Sequence, residues 1–65
     1  MKVIIRNPKR REIEVEGKRQ VRDLLRELNL NPESVLVIRN GALLTRDEMA
    51  EAGDTIEILS AISGG

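Results

Sequence analysis

Charged and apolar residues alternate strictly through Glu12-Ile13-Glu14-Val15-Glu16. A period of two predicts a strand with one buried face. The β-branched run Val3-Ile4-Ile5 comes before it, and Asn7-Pro8-Lys9-Arg10 between the two has the composition of a turn. The pair therefore predicts an antiparallel hairpin. Ile13 and Val15 should face a core together with Val3 and Ile5, which leaves Ile4 on the outer face. Gly17 breaks the second strand.

The period then changes. Val21, Leu24, Leu25 and Leu28 fall at i, i+3, i+4 and i+7, the stripe of an amphipathic helix from about Gln20 to Leu28. Arg22, Asp23, Arg26 and Glu27 occupy its other side, and Asn29 suits a C-terminal cap. So short a helix is not stable alone in water, so it must dock on a sheet. Asn31-Pro32 opens the next turn, and Val35-Leu36-Val37-Ile38-Arg39 reads as a third strand closed by Asn40-Gly41. Arg39 shares parity with Val35 and Val37, which assigns Leu36 and Ile38 to the core. Leu43-Leu44 reads as a short fourth strand, and Thr45 with Asp47 and Glu48 as a capped helical turn. Gly53-Asp54 turns the chain into a last strand from Thr55 to about Leu59.

The order is β-β-α-β-β-β, with no internal repeat or linker. A hairpin, a helix crossing its face and further strands give an α+β fold, a mixed sheet of four to five strands with one helix packed on one face. In outline this is the ubiquitin-like β-grasp arrangement. It is expected to occupy residues 1–62, followed by a flexible Ser-Gly-Gly tail at 63–65.

Composition narrows what such a domain can do. The chain has 65 residues and neither Cys nor His, so disulfides and the usual zinc frameworks are excluded. Val, Ile and Leu make up 20 of the residues and aromatics none, which suits a small, tightly packed aliphatic core. Without His, Cys or Tyr, the commonest nucleophiles and near-neutral acid–base groups are missing. A stand-alone enzyme is not expected, and no catalytic side chain or metal site is assigned. No apolar stretch approaches the roughly 18 residues needed to cross a bilayer, and no signal-peptide pattern opens the chain. A cytoplasmic protein is expected.

Formal charge is zero, but unevenly spread. Residues 1–26 carry nine Lys/Arg against four Asp/Glu, and residues 27–65 carry two against seven. The acidic half ends in Gly64-Gly65, and its field would steer that end toward a basic partner surface. Glycine packs nothing and loses the most entropy on ordering. A Gly-Gly end makes a poor structural element, but it threads easily into a narrow site on another protein. The plainer alternative is a frayed terminus.

The punctuation of the second half points to a family. Asn40-Gly41, then Leu43-Leu44-Thr45-Arg46, then Gly53-Asp54 before an alternating strand, and finally Gly64-Gly65, is similar to the ThiS/MoaD sulfur-carrier proteins. Val21-Arg22-Asp23-Leu24-Leu25 also matches that family's valine-x-x-leucine-leucine helix. The resemblance spans essentially the whole chain. It is closest to the short ThiS-like carriers, including those of tRNA 2-thiouridine synthesis, because Leu59-Ser60-Ala61-Ile62-Ser63 lacks the proline usual in MoaD tails. The turn Asn7-Pro8-Lys9-Arg10-Arg11 departs from typical ThiS and leaves room for a tRNA-thiolation carrier.

The resemblance implies that the working group is the carboxylate of Gly65, with Gly64 and Ser63 threading the tail. An E1-like adenylyltransferase would join that carboxylate to AMP from ATP, and a sulfur donor would convert the acyl-adenylate to a thiocarboxylate. ATP and the donor belong to the partner, so no cofactor is expected on this chain. The sulfur acceptor would be thiazole synthase, a tRNA thiolase or the molybdopterin synthase large subunit. The alternatives are a ubiquitin-like modifier joined to lysines through Gly65, the small subunit of molybdopterin synthase, or a plain interaction module.

A carrier also needs a docking surface. Leu59 falls opposite in parity to Ile56 and Ile58, and with Ile4 and Val37 it is assigned to an exposed patch beside the tail, with Ile62 as a further partner contact. Lys9-Arg10-Arg11 is the one basic run, and with no aromatic platform nearby it reads as a hairpin turn rather than a nucleic-acid site.

Overall fold

Val3 stands opposite Ile13 and Lys2 opposite Glu14 in an antiparallel ladder between β1 (Lys2–Ile5) and β2 (Arg11–Glu14), as the alternation requires. The computed structural model describes residues 1–6 and 9–61. The other elements are β3 (Arg19–Gln20), α1 (Val21–Glu27), β4 (Val35–Arg39), β5 (Ala42–Leu43), β6 (Met49–Ala50) and β7 (Thr55–Ser60). Five strands form one mixed sheet in the order β2-β1-β7-β4-β5, and β3 pairs with β6 in a separate two-stranded ladder. β1 and β7 lie parallel at the centre, and every other neighbour in the sheet is antiparallel. This is the ubiquitin-like β-grasp.

One face of the sheet is closed by α1. Val21, Leu24 and Leu25 join Val3, Ile5, Val37, Ile56 and Ile58 in a single buried cluster, with Ile13, Val15, Leu28 and Leu44 packed at its margin. Each fully buried Leu or Ile contributes about 2 kcal/mol of transfer free energy, so the helix is held by its stripe rather than by its own propensity.

The ends of α1 show how seven residues stay helical. Gln20 occupies the N-cap without a capping side-chain bond. The first amides donate instead to a neighbouring loop, Val21 N–H to the Glu48 carbonyl at 2.9 Å and Arg22 N–H to the Arg46 carbonyl at 3.1 Å. At the other end Leu30 N–H bonds the Leu25 carbonyl at 2.8 Å and Asn29 N–H bonds the Arg26 carbonyl at 3.1 Å. Asn29 has φ of 59°. This pair of bonds around a left-handed residue is the Schellman motif.

Three expectations change. Thr45 does not start a helical turn. Residues 45–48 form a tight turn in which Thr45 N–H donates to Glu48 Oε1 at 3.0 Å and Glu48 N–H to the Thr45 carbonyl at 3.2 Å. The fourth strand begins at Ala42, not Leu43, because the two-residue loop Asn40-Gly41 pairs Arg39 with Ala42. Both loop residues have positive φ, 53° and 79°, as such hairpins demand.

The third change concerns β4. Val37 is the core residue, 4% exposed, whereas Leu36 is 41% exposed and Ile38 half-buried on the outer face. Arg39 misleads because it shares the core-side parity but lies beyond the buried part of the strand. Its guanidinium donates to the Met49 carbonyl and to Asp54 Oδ2, each at 3.0 Å. The charged end closes an edge of the core instead of turning the whole strand over.

Candidate functional site

β7 runs through the middle of the sheet and carries the chain toward its C-terminal residues. It is held on both sides. Ser60 pairs with Val35 and Leu59 with Leu36 in the β4 ladder, and the Arg6 amide donates to the Ile58 carbonyl at 2.9 Å on the β1 side. One residue further, the Ala61 amide donates to the Ser34 carbonyl at 2.8 Å. The backbone is therefore fixed up to Ala61. Ile62, Ser63, Gly64 and Gly65, assigned from sequence to partner contact, threading and chemistry, lie outside the described residues.

The face of the sheet away from α1 is formed by alternate residues of these strands. Ile4, Glu57, Ile38 and Leu43 follow one another across β1, β7, β4 and β5, each paired with the next. Leu59 and Leu36 form the next pair toward the C-terminal end of β7. Leu36 and Leu43 are the most open of the set, at 41% and 62% exposed. Ile4, Ile38 and Leu59 are half-buried among their neighbours. Glu57 interrupts the aliphatic surface but is held by Arg6, whose Nε lies 3.0 Å from Glu57 Oε2 and whose Nη2 bonds the same oxygen. An exposed pair of this kind contributes at most about 1 kcal/mol to stability. Here it also removes two unpaired charges from an apolar surface.

The sequence placed Ile4 and Leu59 on this face, and there they lie. Val37 does not belong with them, since it points into the core. Leu36, Ile38 and Leu43 were missed. The signal that finds them is the β4–β7 register, which sets Leu36 beside Leu59, and that register is a long-range fact absent from local periodicity.

Asp54 governs the turn that launches β7. Its carboxylate accepts from the Glu51 amide at 2.8 Å and from Arg39 Nη1 at 3.0 Å. The backbone bond from Glu51 first, and the Arg39 guanidinium second, hold the Asp54 carboxyl below its ordinary value. The ionised form thus ties the β6–β7 turn to the end of β4.

Among the described residues no group of three or more His, Cys, Asp or Glu is arranged to hold a metal ion, and no helix is long and apolar enough to cross a membrane. What the geometry offers is an aliphatic sheet face beside a strand whose backbone is held as far as Ala61.

The family model for Small archaeal modifier protein 2 matches residues 1–62 of the chain. The chain is 51% identical over 65 residues, the full length of both proteins, to the protein named Sulfur carrier protein TtuB of Thermus thermophilus. It is also 37% identical over 54 residues to an uncharacterized protein of Archaeoglobus fulgidus, covering 83% of this chain and 78% of that one.

Proposed function

The chain belongs to the Small archaeal modifier protein 2 family, ubiquitin-like proteins of the ThiS/MoaD type, and on that premise we propose that it is a sulfur carrier acting through the Gly65 carboxylate. The full-length identity to a protein named as a sulfur carrier is the observation that carries this reading.

The chemistry asks little of the carrier's side chains. A carboxylate is a poor electrophile, so an E1-like adenylyltransferase first joins Gly65 to AMP, releasing pyrophosphate from ATP. A sulfide-level donor then attacks the acyl-adenylate through sulfur, and the carbon–oxygen bond to AMP breaks with release of AMP. Loss of the sulfur's proton leaves a thiocarboxylate. With a persulfide donor the product is an acyl disulfide, which a second thiol must reduce to the thiocarboxylate. That anion is a sulfur nucleophile at neutral pH and passes its sulfur to an acceptor enzyme of thiazole synthesis or tRNA 2-thiolation.

The body of the protein serves recognition. Ile4, Ile38, Leu36 and Leu59 are the proposed contacts with the activating enzyme, on the same sheet as the strand whose backbone is held through Ala61. Gly64 and Gly65 present bare backbone to a channel that a Cβ would narrow.

The family's description as modifier proteins favours a second reading, in which the activated Gly65 is captured by lysine amines of target proteins. Both readings share the adenylation step. Deleting the gene should cause thiamine auxotrophy or loss of 2-thiolated tRNA if the protein is a carrier. A ladder of higher-mass conjugates on lysates, with neither defect, would favour the modifier instead.

A further inference from the structure

Two depressions meet on the helix side of the molecule. One, of about 490 Å³, is lined by Arg22, Arg26, Leu30, Pro32, Arg46 and Asp47. The other, of about 210 Å³, lies where α1 meets β4 and β5, with Val21, Leu25, Val35 and Leu44 among its walls and with Leu36 and Leu43, at the edge of the opposite face, on its rim. Pro32 and Arg46 line both. Together they make one trough, basic at one end and aliphatic at the other.

The basic end is built rigidly. The turn at 45–48 is closed by Thr45 and Glu48 and bonded to the start of α1 through the Val21 and Arg22 amides and through Gln20 Nε2, which donates to the Asp47 carbonyl at 3.1 Å. Arg22 sits in the first turn of α1, where the helix dipole disfavours a cation, and Asp47 pairs with it there. Arg26, in the last turn, is favoured by the same dipole. Arg46 has no such local reason. Among the described residues neither Arg26 nor Arg46 makes an ion pair. Two guanidinium groups therefore border an apolar trough without carboxylates of their own.

The trough also lies beside the end of β7. Val35, in its apolar wall, pairs with Ser60, and the neighbouring Ser34 carbonyl accepts from the Ala61 amide.

We infer that this trough docks an acidic, amphipathic segment of a partner protein. Its aliphatic side chains lie over Val35 and Leu44, and its carboxylates pair with Arg26 and Arg46. Guanidinium forks suit carboxylates in bidentate pairs. A nucleic-acid strand fits less well, because half of the trough is apolar, Asp47 stands in its basic end, and the chain has no aromatic residue for bases to stack on. The inference holds whether or not Gly65 carries sulfur.

The test is an amide chemical-shift titration of the full ¹⁵N-labelled chain with a capped peptide alternating glutamate and leucine. Its lysine-for-glutamate counterpart and a single-stranded RNA oligonucleotide serve as competing probes. The acidic peptide should move amides at 22–30, 35 and 44–47 while leaving Ile4 and Glu57 unmoved. The R26Q/R46Q double variant should bind about tenfold more weakly with an unchanged melting temperature, and added salt should weaken binding of the wild type. Absence of shifts at the trough, equal binding of the lysine peptide, tighter binding of the RNA, or undiminished affinity in the double variant would each overturn the inference.

Discussion

Leu59 stands directly opposite Leu36 in the β4–β7 ladder, on the sheet face that α1 leaves uncovered, two residues before the fixed backbone reaches Ala61. In the proposed docking, this apolar pair is where the activating enzyme would gain most by excluding water. Leu59→Ser should lower kcat/KM for adenylation of the protein about tenfold, chiefly through KM. Leu36→Ser should act in the same direction, and the double variant should fall short of the product of the two effects because the side chains share one contact. Unchanged kinetics in both single variants would remove this face from the docking surface.

The two faces of β4 separate cleanly by stability. Val37→Ala empties a site in the core and should cost about 2 kcal/mol in urea denaturation. Leu36→Ala, one residue away but exposed, should stay within about 0.5 kcal/mol of the parent. A larger loss at Leu36 than at Val37 would mean that the strand faces the other way.

Acid should loosen the β6–β7 turn. Asp54 has its carboxyl lowered in the folded state, so its contribution is present above the ordinary carboxylate value of 3.8 and is lost as pH falls through the lower folded value. Asp54→Asn should therefore melt below the wild type at pH 6, and the gap should narrow as pH drops below 3.8. A gap that stays constant down to pH 2 would show that the charge of Asp54 is not what holds the turn.

The cap of α1 offers a backbone test. With φ of 59°, Asn29→Val places a β-branched residue in left-handed geometry and should cost about 1–2 kcal/mol by chemical denaturation. Asn29→Gly should be neutral or slightly stabilising. A tolerated valine would argue that the Schellman bonds to Leu25 and Arg26 are not essential to the end of the helix.

Local chemistry carried the architecture. Alternation at 12–16 marks the hairpin, the Val21-Leu24-Leu25 stripe marks the helix to within one residue at each end, and Asn40-Gly41 marks a two-residue loop. What escaped depends on long-range register. β3 and β6 are two residues each, too short to show a period, and exist because Arg19 and Gln20 meet Ala50 and Met49 far along the chain. The facing of β4 turned on Arg39, whose charge finds Asp54 and the Met49 carbonyl only in the folded chain. The same error put Val37 on the docking patch in place of Leu36. The trough of Arg26 and Arg46 was illegible for the same reason, since residues twenty positions apart meet only through the 45–48 turn.

Sulfur is proposed to be carried on the carboxyl carbon of Gly65. The purified protein, incubated with its activating enzyme, ATP and a sulfur donor, should gain the mass of one sulfur-for-oxygen exchange in an intact-mass measurement. The same chain shortened by Gly65 should gain nothing while melting at the same temperature. A mass gain that survives removal of Gly65, or none in the full chain although the enzyme adenylates it, would contradict the account.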